Sequence, residues 1–315
     1  MTISLLGTGL LGTAIGTRLL HCGQPLSVWN RSPGRCAPLA ALGARLAASP
    51  GEAVAAGEVV ITVLSDGPTT AAVLLEQAGP ALAQRLVLQM ATIAPEESRA
   101  LAKAVAEKGA TYLECPVLGS RPEALAGSLQ LMVGGSPEAL QRARPVLAHL
   151  GGEPHHLGPV GAALTTKLAL NQLIASLTHS FSLSLHLVQR GGVEVEAFMA
   201  ILRASALYAP TFDKKLAKEL ANDYANPNFP TAHLRKDLQL FLQAAAAAGL
   251  NSEGLSGLAQ LLERATAAGL DELDYSALHR LVALDRPVAE AVPSLNTDAG
   301  INGGDSHGAG GALQP

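Results

Sequence analysis

Lys167 and Asn171 stand four residues apart in a stretch whose other members, Leu164, Leu168, Leu170 and Leu173, are apolar. At helical spacing the two polar residues share one face. A lysine and an amide on a largely buried face need partners, because unpaired burial of polar groups is costly. Burial also shifts a lysine's pKa readily, which suits proton donation to an oxygen that gains negative charge. The competing reading is a surface lysine whose methylene stem covers the helix while its ammonium stays in water. Spacing alone does not separate the two. Two turns offer further polar groups. In Met90-Ala91-Thr92-Ile93-Ala94-Pro95, Thr92 can hydrogen-bond a ligand or cap the helix that Pro95 and Glu96 begin. In Glu114-Cys115-Pro116-Val117-Leu118-Gly119-Ser120-Arg121-Pro122, the hydroxyl of Ser120, the guanidinium of Arg121 and the amides around Gly119 suit a carboxylate. The same turn also reads as a Pro/Gly corner with Ser120 as a helix cap.

A phosphate-binding turn opens the chain. A strand-like run, residues 3–6, leads directly into Gly7-Thr8-Gly9-Leu10-Leu11-Gly12 and then a helical run to Leu20. In this pattern the first glycine permits the tight turn, the second lets a pyrophosphate approach the backbone, and the third lets helix and sheet pack closely. The helix N-terminus adds free amides and a positive dipole end. The alternative, a Gly-rich corner with no ligand, is weakened by the strand before and the helix after. About 20 residues on, NAD sites usually carry an acidic residue for the ribose 2′-hydroxyl. Here the second strand ends in Asn30-Arg31-Ser32. An arginine fork and a hydroxyl suit a 2′-phosphate instead, so NADP is the expected cofactor. Arg35 is a further possible contact, and an ordinary solvated turn is the other reading.

These groups need elements to position them. Residues 3–6, 26–29, 59–64, 86–90, 111–114 and 129–133 read as strands, separated by Ala-rich helical stretches such as 71–77 and 96–108. Near-continuous apolar strands alternating with helices predict a mostly parallel sheet covered on both faces, of the doubly wound, Rossmann type. The alternation stops near Gly158. From Gly161 to about Leu284 the sequence reads as helices, with stops at Gly191-Gly192, Gly249 and Gly269 and a loop at Asn226-Pro227-Asn228. The expected division is therefore α/β over 1–160, all-α over 161–290 joined by a long helix, and a disordered Gly- and Asn-rich tail over 291–315.

Composition narrows the function. Hydrophobic residues make up 48% and charged residues 15% of the 315, with a formal net charge of −4. That is ample for a core, and without a dense basic run it argues against a nucleic-acid partner. Three cysteines, Cys22, Cys36 and Cys115, fall in no metal or redox spacing, which predicts a reducing compartment and no metal site. The chain start shows no basic, apolar and cleavage-site series, so a cytoplasmic location is expected. The longest apolar stretch, residues 164–188, contains Lys167, Asn171, His179 and His186. A membrane span would rarely carry that polar load, and no membrane partner is expected.

With these pieces assembled, the chain resembles the β-hydroxyacid dehydrogenase family, which includes 3-hydroxyisobutyrate dehydrogenases, tartronate semialdehyde reductases and glyoxylate/succinic semialdehyde reductases. The matching pieces run in order: Gly7–Gly12, the Met90 loop, the turn from Glu114 to Ser120, Gly127-Ser128-Leu129, Val133-Gly134-Gly135, residues 161–171, Phe229-Pro230 with His233, Lys236 and Asp237, and Asp274-Tyr275-Ser276-Ala277. The resemblance implies that Lys167 is the catalytic residue. It implies that Thr92, Gly119, Ser120, Asn171, Lys236 and Asp237 bind substrate. It implies that Gly7, Gly9, Leu10, Leu11, Gly12, Asn30, Arg31, Ser32, Leu64, Thr92 and Lys236 face the cofactor. It further implies a homodimer or homotetramer built on the helical half. The Asn30-Arg31-Ser32 end is similar to the NADPH-preferring glyoxylate/succinic semialdehyde branch, which implies a small aldehyde-acid substrate. Two positions depart from the pattern: Leu118 and Ala91 stand where the family usually has serine. Lys167 argues against the related imine reductases. Lys167 with Asn171 argues against a non-catalytic dinucleotide-binding scaffold.

Overall fold

The computed structural model describes residues 1–283, so the tail expected over 291–315 lies outside the described residues. The sheet is built from β1 (Ile3–Leu6), β2 (Leu26–Trp29), β3 (Arg45–Leu46), β4 (Val59–Thr62), β5 (Leu86–Gln89), β6 (Thr111–Glu114), β7 (Val117–Leu118), β8 (Gln130–Gly134) and β9 (His155–Gly158). Its order is β3-β2-β1-β4-β5-β6-β8-β7, with β9 also on β8. Strands β1 to β6 pair in parallel, and β8 runs antiparallel to both β6 and β7. The chain leaves β1 for β2 on one side and returns to β4 on the other. That reversal is the switch point where doubly wound sheets open a ligand crevice.

Helices cover both faces: α1 (Leu10–His21), α2 (Ala37–Ala41), α3 (Pro50–Ala56), α4 (Gly67–Ala71), α5 (Pro95–Glu107), α6 (Arg121–Ala126) and α7 (Pro137–Leu150). Strand side chains alternate between two cores. Ile3, Leu5, Val28 and Leu88 pack with Ile15 and Leu147 on one face. Leu6, Val60 and Val87 pack with Val54 and Leu101 on the other. Leu164 of the long helix enters this second core and so fixes that helix to the sheet.

The expected strand over 59–64 ends at Thr62. Val63 then turns away, although its amide still donates to the Leu6 carbonyl (2.9 Å). The helix expected over 71–77 begins earlier, at Gly67, capped by Asp66 Oδ1 on the Thr69 amide (2.7 Å), and widens into a π-helical turn over Ala72–Gln77.

The helical half comprises α8 (Ala162–Arg190), α9 (Val195–Ala204), α10 (Pro210–Ala221), α11 (Thr231–Ala247), α12 (Ser256–Ala267) and α13 (Leu278–Val282). At a rise of about 1.5 Å per residue, α8 is about 44 Å long. Its inward face runs Leu164, Lys167, Leu168, Asn171, Ala175, Thr178, Ser182 and Leu185, a stripe in which each residue has another three or four positions away. Leu234, Leu238, Leu258, Leu262 and Leu278 close around Ala175. Gly192, Gly249 and Gly269 all have φ near +70°, so the expected helix stops use the left-handed conformation that glycine tolerates.

Candidate active site

The crevice begins at the turn after β1. Gly7 has φ +100°, and a Cβ there would run into the Val63 carbonyl oxygen. A Cβ at Gly12 would run into the carbonyl of Gly7. At Gly9 a Cβ would meet nothing within 4 Å, so this glycine faces open space rather than protein. Two of the three glycines are thus required by the fold, and the third leaves room for something outside it. Leu64 backs the turn, lying 3.1 Å from the position of a Gly7 Cβ. Leu11 packs on the core, and Leu10 is exposed.

A cavity of about 350 Å³ opens at the end of β2, lined by Trp29, Asn30, Arg31, Cys36, Leu46 and Ser49 among others. Asn30 is oriented by the fold: its Oδ1 accepts from the Thr8 amide (3.1 Å) and its Nδ2 donates to the Ser32 carbonyl (3.1 Å). It therefore ties the phosphate turn to the β2 end. The Arg31 guanidinium has no hydrogen bond or ion pair among the described residues, leaving its donor fork available. Ser32 is exposed and lies outside the cavity lining.

The second half of the site is built where α8 and α11 meet the sheet. Asn171 Nδ2 donates to Asp237 Oδ2 at 2.6 Å. Lys236 Nζ lies 2.9 Å from Asp237 Oδ1, an ion-pair distance without hydrogen-bond alignment. It also donates to the Thr92 carbonyl at 2.5 Å, which ties α11 to the loop after β5. Ala94, not Thr92, takes the N-cap position of α5, so the Thr92 hydroxyl is free of the capping role. Lys167 is buried, and its ammonium has no hydrogen bond among the described residues. Burial pushes its pKa down to about 8. The charge of Asp237 opposes the drop, and that of Lys236 adds to it. The spacing of Lys167 and Asn171 thus corresponds to a buried polar face and not to a snorkelling surface lysine. A lysine poised near 8 can donate a proton to an alkoxide and regain it at neutral pH.

Thr92, Lys167, Asn171, Lys236 and Asp237 therefore come together. Gly119 and Ser120 do not join them through any hydrogen bond. The Ser120 amide (2.7 Å) and hydroxyl (2.8 Å) both donate to Glu123 Oε2, and Glu123 Oε1 in turn accepts from Lys214 (3.3 Å). Although partial burial works against it, these bonds hold the Glu123 carboxyl down at about 2. Ser120 thus stands at the N-cap position of α6 with its amide and hydroxyl both donating to Glu123, an anion of the protein's own on the donors expected for a substrate carboxylate. The Ser-x-x-Glu spacing is a capping-box signature that the sequence already carried.

Sequence reasoning also gave Glu114 no separate role. It is fully buried, and its Oε1 receives the amides of Gly161 (2.8 Å), Ala163 (2.9 Å) and Leu164 (3.4 Å) at the start of α8. No local pattern announces a cap that arrives from 47 residues away.

Residues 2–158 match the NAD binding domain of 6-phosphogluconate dehydrogenase, and residues 161–282 match the NAD-binding domain of NADP-dependent 3-hydroxyisobutyrate dehydrogenase. A glyoxylate/succinic semialdehyde reductase of Arabidopsis thaliana is 29% identical over 91% of this chain and 100% of its own. An NAD-dependent L-serine dehydrogenase of Pseudomonas aeruginosa is 33% identical over 89% of this chain and 97% of its own. The chain belongs to the β-hydroxyacid dehydrogenase family. Among solved structures, the 3-hydroxyisobutyrate dehydrogenase of Mycobacterium tuberculosis with L-serine superposes with a TM-score of 0.81 at 27% identity, covering 90% of this chain and 99% of that one. The dehydrogenase thus has a Rossmann-type domain followed by a helical domain, and its cofactor is a nicotinamide dinucleotide. The residues fit that group: the open space at Gly9 suits a pyrophosphate, and the β2 cavity suits an adenosine moiety. Among the described residues no cluster of His, Cys, Asp and Glu could hold a metal, and no helix is long and apolar enough to cross a membrane.

Proposed function

We propose that the enzyme is an NADPH-preferring reductase that converts a small aldehyde-acid, of the glyoxylate or succinic semialdehyde type, reversibly to its hydroxy acid. The observation that carries this reading is the buried Lys167 ammonium, held near Asp237, Asn171 and Lys236 with its pKa brought down to about 8. NADPH supplies the hydride when bound. Lys167 polarises the carbonyl oxygen and gives its proton to the oxygen as charge develops. Asn171 holds Asp237, and Asp237 keeps Lys167 from losing its proton too early. Lys236, tied to the Thr92 carbonyl, closes the site toward the sheet, and its charge with the Thr92 hydroxyl receives the substrate's carboxylate. With Ser120 committed to Glu123 and Leu118 lacking a hydroxyl, that carboxylate is met from the α11 side.

The NADPH preference rests on Arg31 at the β2 cavity and on a neutral Asn30 in place of a carboxylate. The 1–160 and 161–290 division assigns cofactor binding to the first part and substrate closure and self-association to the second, as a homodimer or homotetramer in the cytoplasm. The test is NADPH and NADH oxidation against semialdehydes, 2-keto acids, 3-hydroxyisobutyrate-type substrates and cyclic imines. Turnover on semialdehydes with tighter binding of NADPH than NADH, reduced at least tenfold in Arg31→Ala, is the expected result. Turnover confined to cyclic imines refutes the substrate reading, and equal affinity for the two dinucleotides refutes the role of Arg31.

A further inference from the structure

We infer that Glu114 is a positioning residue for Lys167: its carboxylate, fixed in the sheet, sets the rotation and height of the helix that carries the lysine. The inference rests on the proposed role of Lys167. Glu114 is the last residue of β6, in register with Gln89 of β5 and Gly134 of β8. A Cβ at Gly134 would run into the Glu114 carboxyl, so this position must be glycine for the side chain to lie across β8.

From there the carboxylate reaches the first turn of α8. The N-cap of that helix is Gly161, at φ +103°, which has no side chain to cap with. The leading amides of a helix have no partner within it. Glu114 Oε1 satisfies three amides at once, those of Gly161, Ala163 and Leu164. Its other oxygen is held by the Ser98 hydroxyl (2.7 Å), and Ser98 is itself paired with the Tyr112 hydroxyl (2.8 Å). Neither end of the contact is free to drift. Ser98 and Tyr112 are anchored in α5 and β6, and Leu164 is anchored in the core beneath the sheet.

Lys167 lies four residues beyond Ala163, about 6 Å along the axis at 1.5 Å per residue. Each residue also turns the helix by about 100°, so a slip of a fraction of a residue swings the ammonium away from Asp237. A misplacement of about 1 Å at a catalytic group can cost about 10²-fold in rate.

Two substitutions separate position from charge. Glu114→Gln keeps the reach and an acceptor oxygen but removes the charge. Glu114→Asp keeps the charge but withdraws it by one methylene. Positioning predicts kcat within about threefold of wild type for Gln and about 10- to 100-fold lower for Asp, with NADPH affinity unchanged in both. The reverse order overturns the inference, as does an unchanged kcat in both folded variants. In a Lys167→Ala background, Glu114→Asp should lower the residual rate by less than about threefold, whereas a full multiplicative loss overturns it. The rate at which an amine-reactive reagent modifies Lys167, measured by peptide mapping against Lys236, should change in Glu114→Asp and not in Glu114→Gln. This readout needs no turnover, so it judges Glu114 even if Lys167→Ala proves fully active and the catalytic reading falls. If Glu114→Asp does not fold, Ser98→Ala frees only the outer oxygen and should lower kcat about 3- to 10-fold at unchanged NADPH affinity; no change there overturns the inference.

Discussion

Replacing Lys167 by methionine should cost activity and add stability in the same molecule. Methionine keeps the length of the stem and removes the ammonium. In the folded chain the lysine's pKa drops from 10.5 to about 8, and burial is the first cause. At about 1.4 kcal/mol per tenfold, that drop means the charged form is disfavoured in the fold by about 3 kcal/mol. The sign follows from proton binding. Between pH 8 and 10.5 the unfolded chain holds the proton more often than the folded chain, so wild-type stability rises with pH across that window. Below pH 8 the full penalty is present in the wild type and absent from the variant. Asp237 keeps Asn171 and Lys236 in the variant, so its loss of one neighbouring charge offsets only part of the gain. Lys167→Met should therefore be more stable by about 1–3 kcal/mol at pH 7, and the difference should vanish by about pH 10.5. Urea unfolding at both pH values measures it. A variant that is less stable at pH 7, or a gap that does not change with pH, would refute the reasoning. Carbonyl reduction should fall by about 10²–10⁴-fold in the same variant. In the wild type, kcat/KM for reduction should be flat below pH 8 and decline above it, as the acid is lost.

Gly9→Ala should fold with an unchanged melting temperature, because its Cβ meets nothing, yet bind NADPH at least tenfold more weakly by fluorescence titration. If affinity were unchanged, the open space at Gly9 would not be the pyrophosphate site. Ser120→Ala removes the hydroxyl's bond to Glu123 and should lower stability by about 1 kcal/mol while leaving KM within about twofold. A large rise in KM at unchanged stability would return Ser120 to substrate binding.

Much of the fold was legible because its signals are local. The Gly7–Gly12 turn is dictated by sterics within one strand–helix corner, and the helix stops at Gly192, Gly249 and Gly269 by the conformation of single residues. Short pieces escaped notice: β3 and β7 have two residues each and carry no periodicity. The strand expected to reach residue 64 ends at Thr62, and the Val63 carbonyl lies so close to Gly7 that a Cβ there would meet it, a long-range proximity that no local pattern announces.

The site divides along the same line. Lys167 and Asn171 share a helix face by spacing alone, but Asp237 is 66 residues from Asn171, and only family resemblance linked them. At Ser120 the difficulty is different, since one pattern supports two roles, and the structure shows its amide and hydroxyl turned to Glu123. The distribution of partners shows why. Three carboxylates in this region each have partners within the fold: Glu114 the α8 amides, Glu123 Ser120 and Lys214, and Asp237 a hydrogen bond from Asn171 at one oxygen and the Lys236 charge beside the other. Lys236 is held by Asp237 and the Thr92 carbonyl, with one hydrogen bond formed of the three its ammonium can donate. Lys167 is a buried cation with no hydrogen-bond acceptor among the described residues. A buried donor left without a partner is costly. On the proposed mechanism the missing acceptor is a substrate oxygen, which strengthens as an acceptor while it becomes an alkoxide and so would complete the arrangement most fully at the moment of proton transfer.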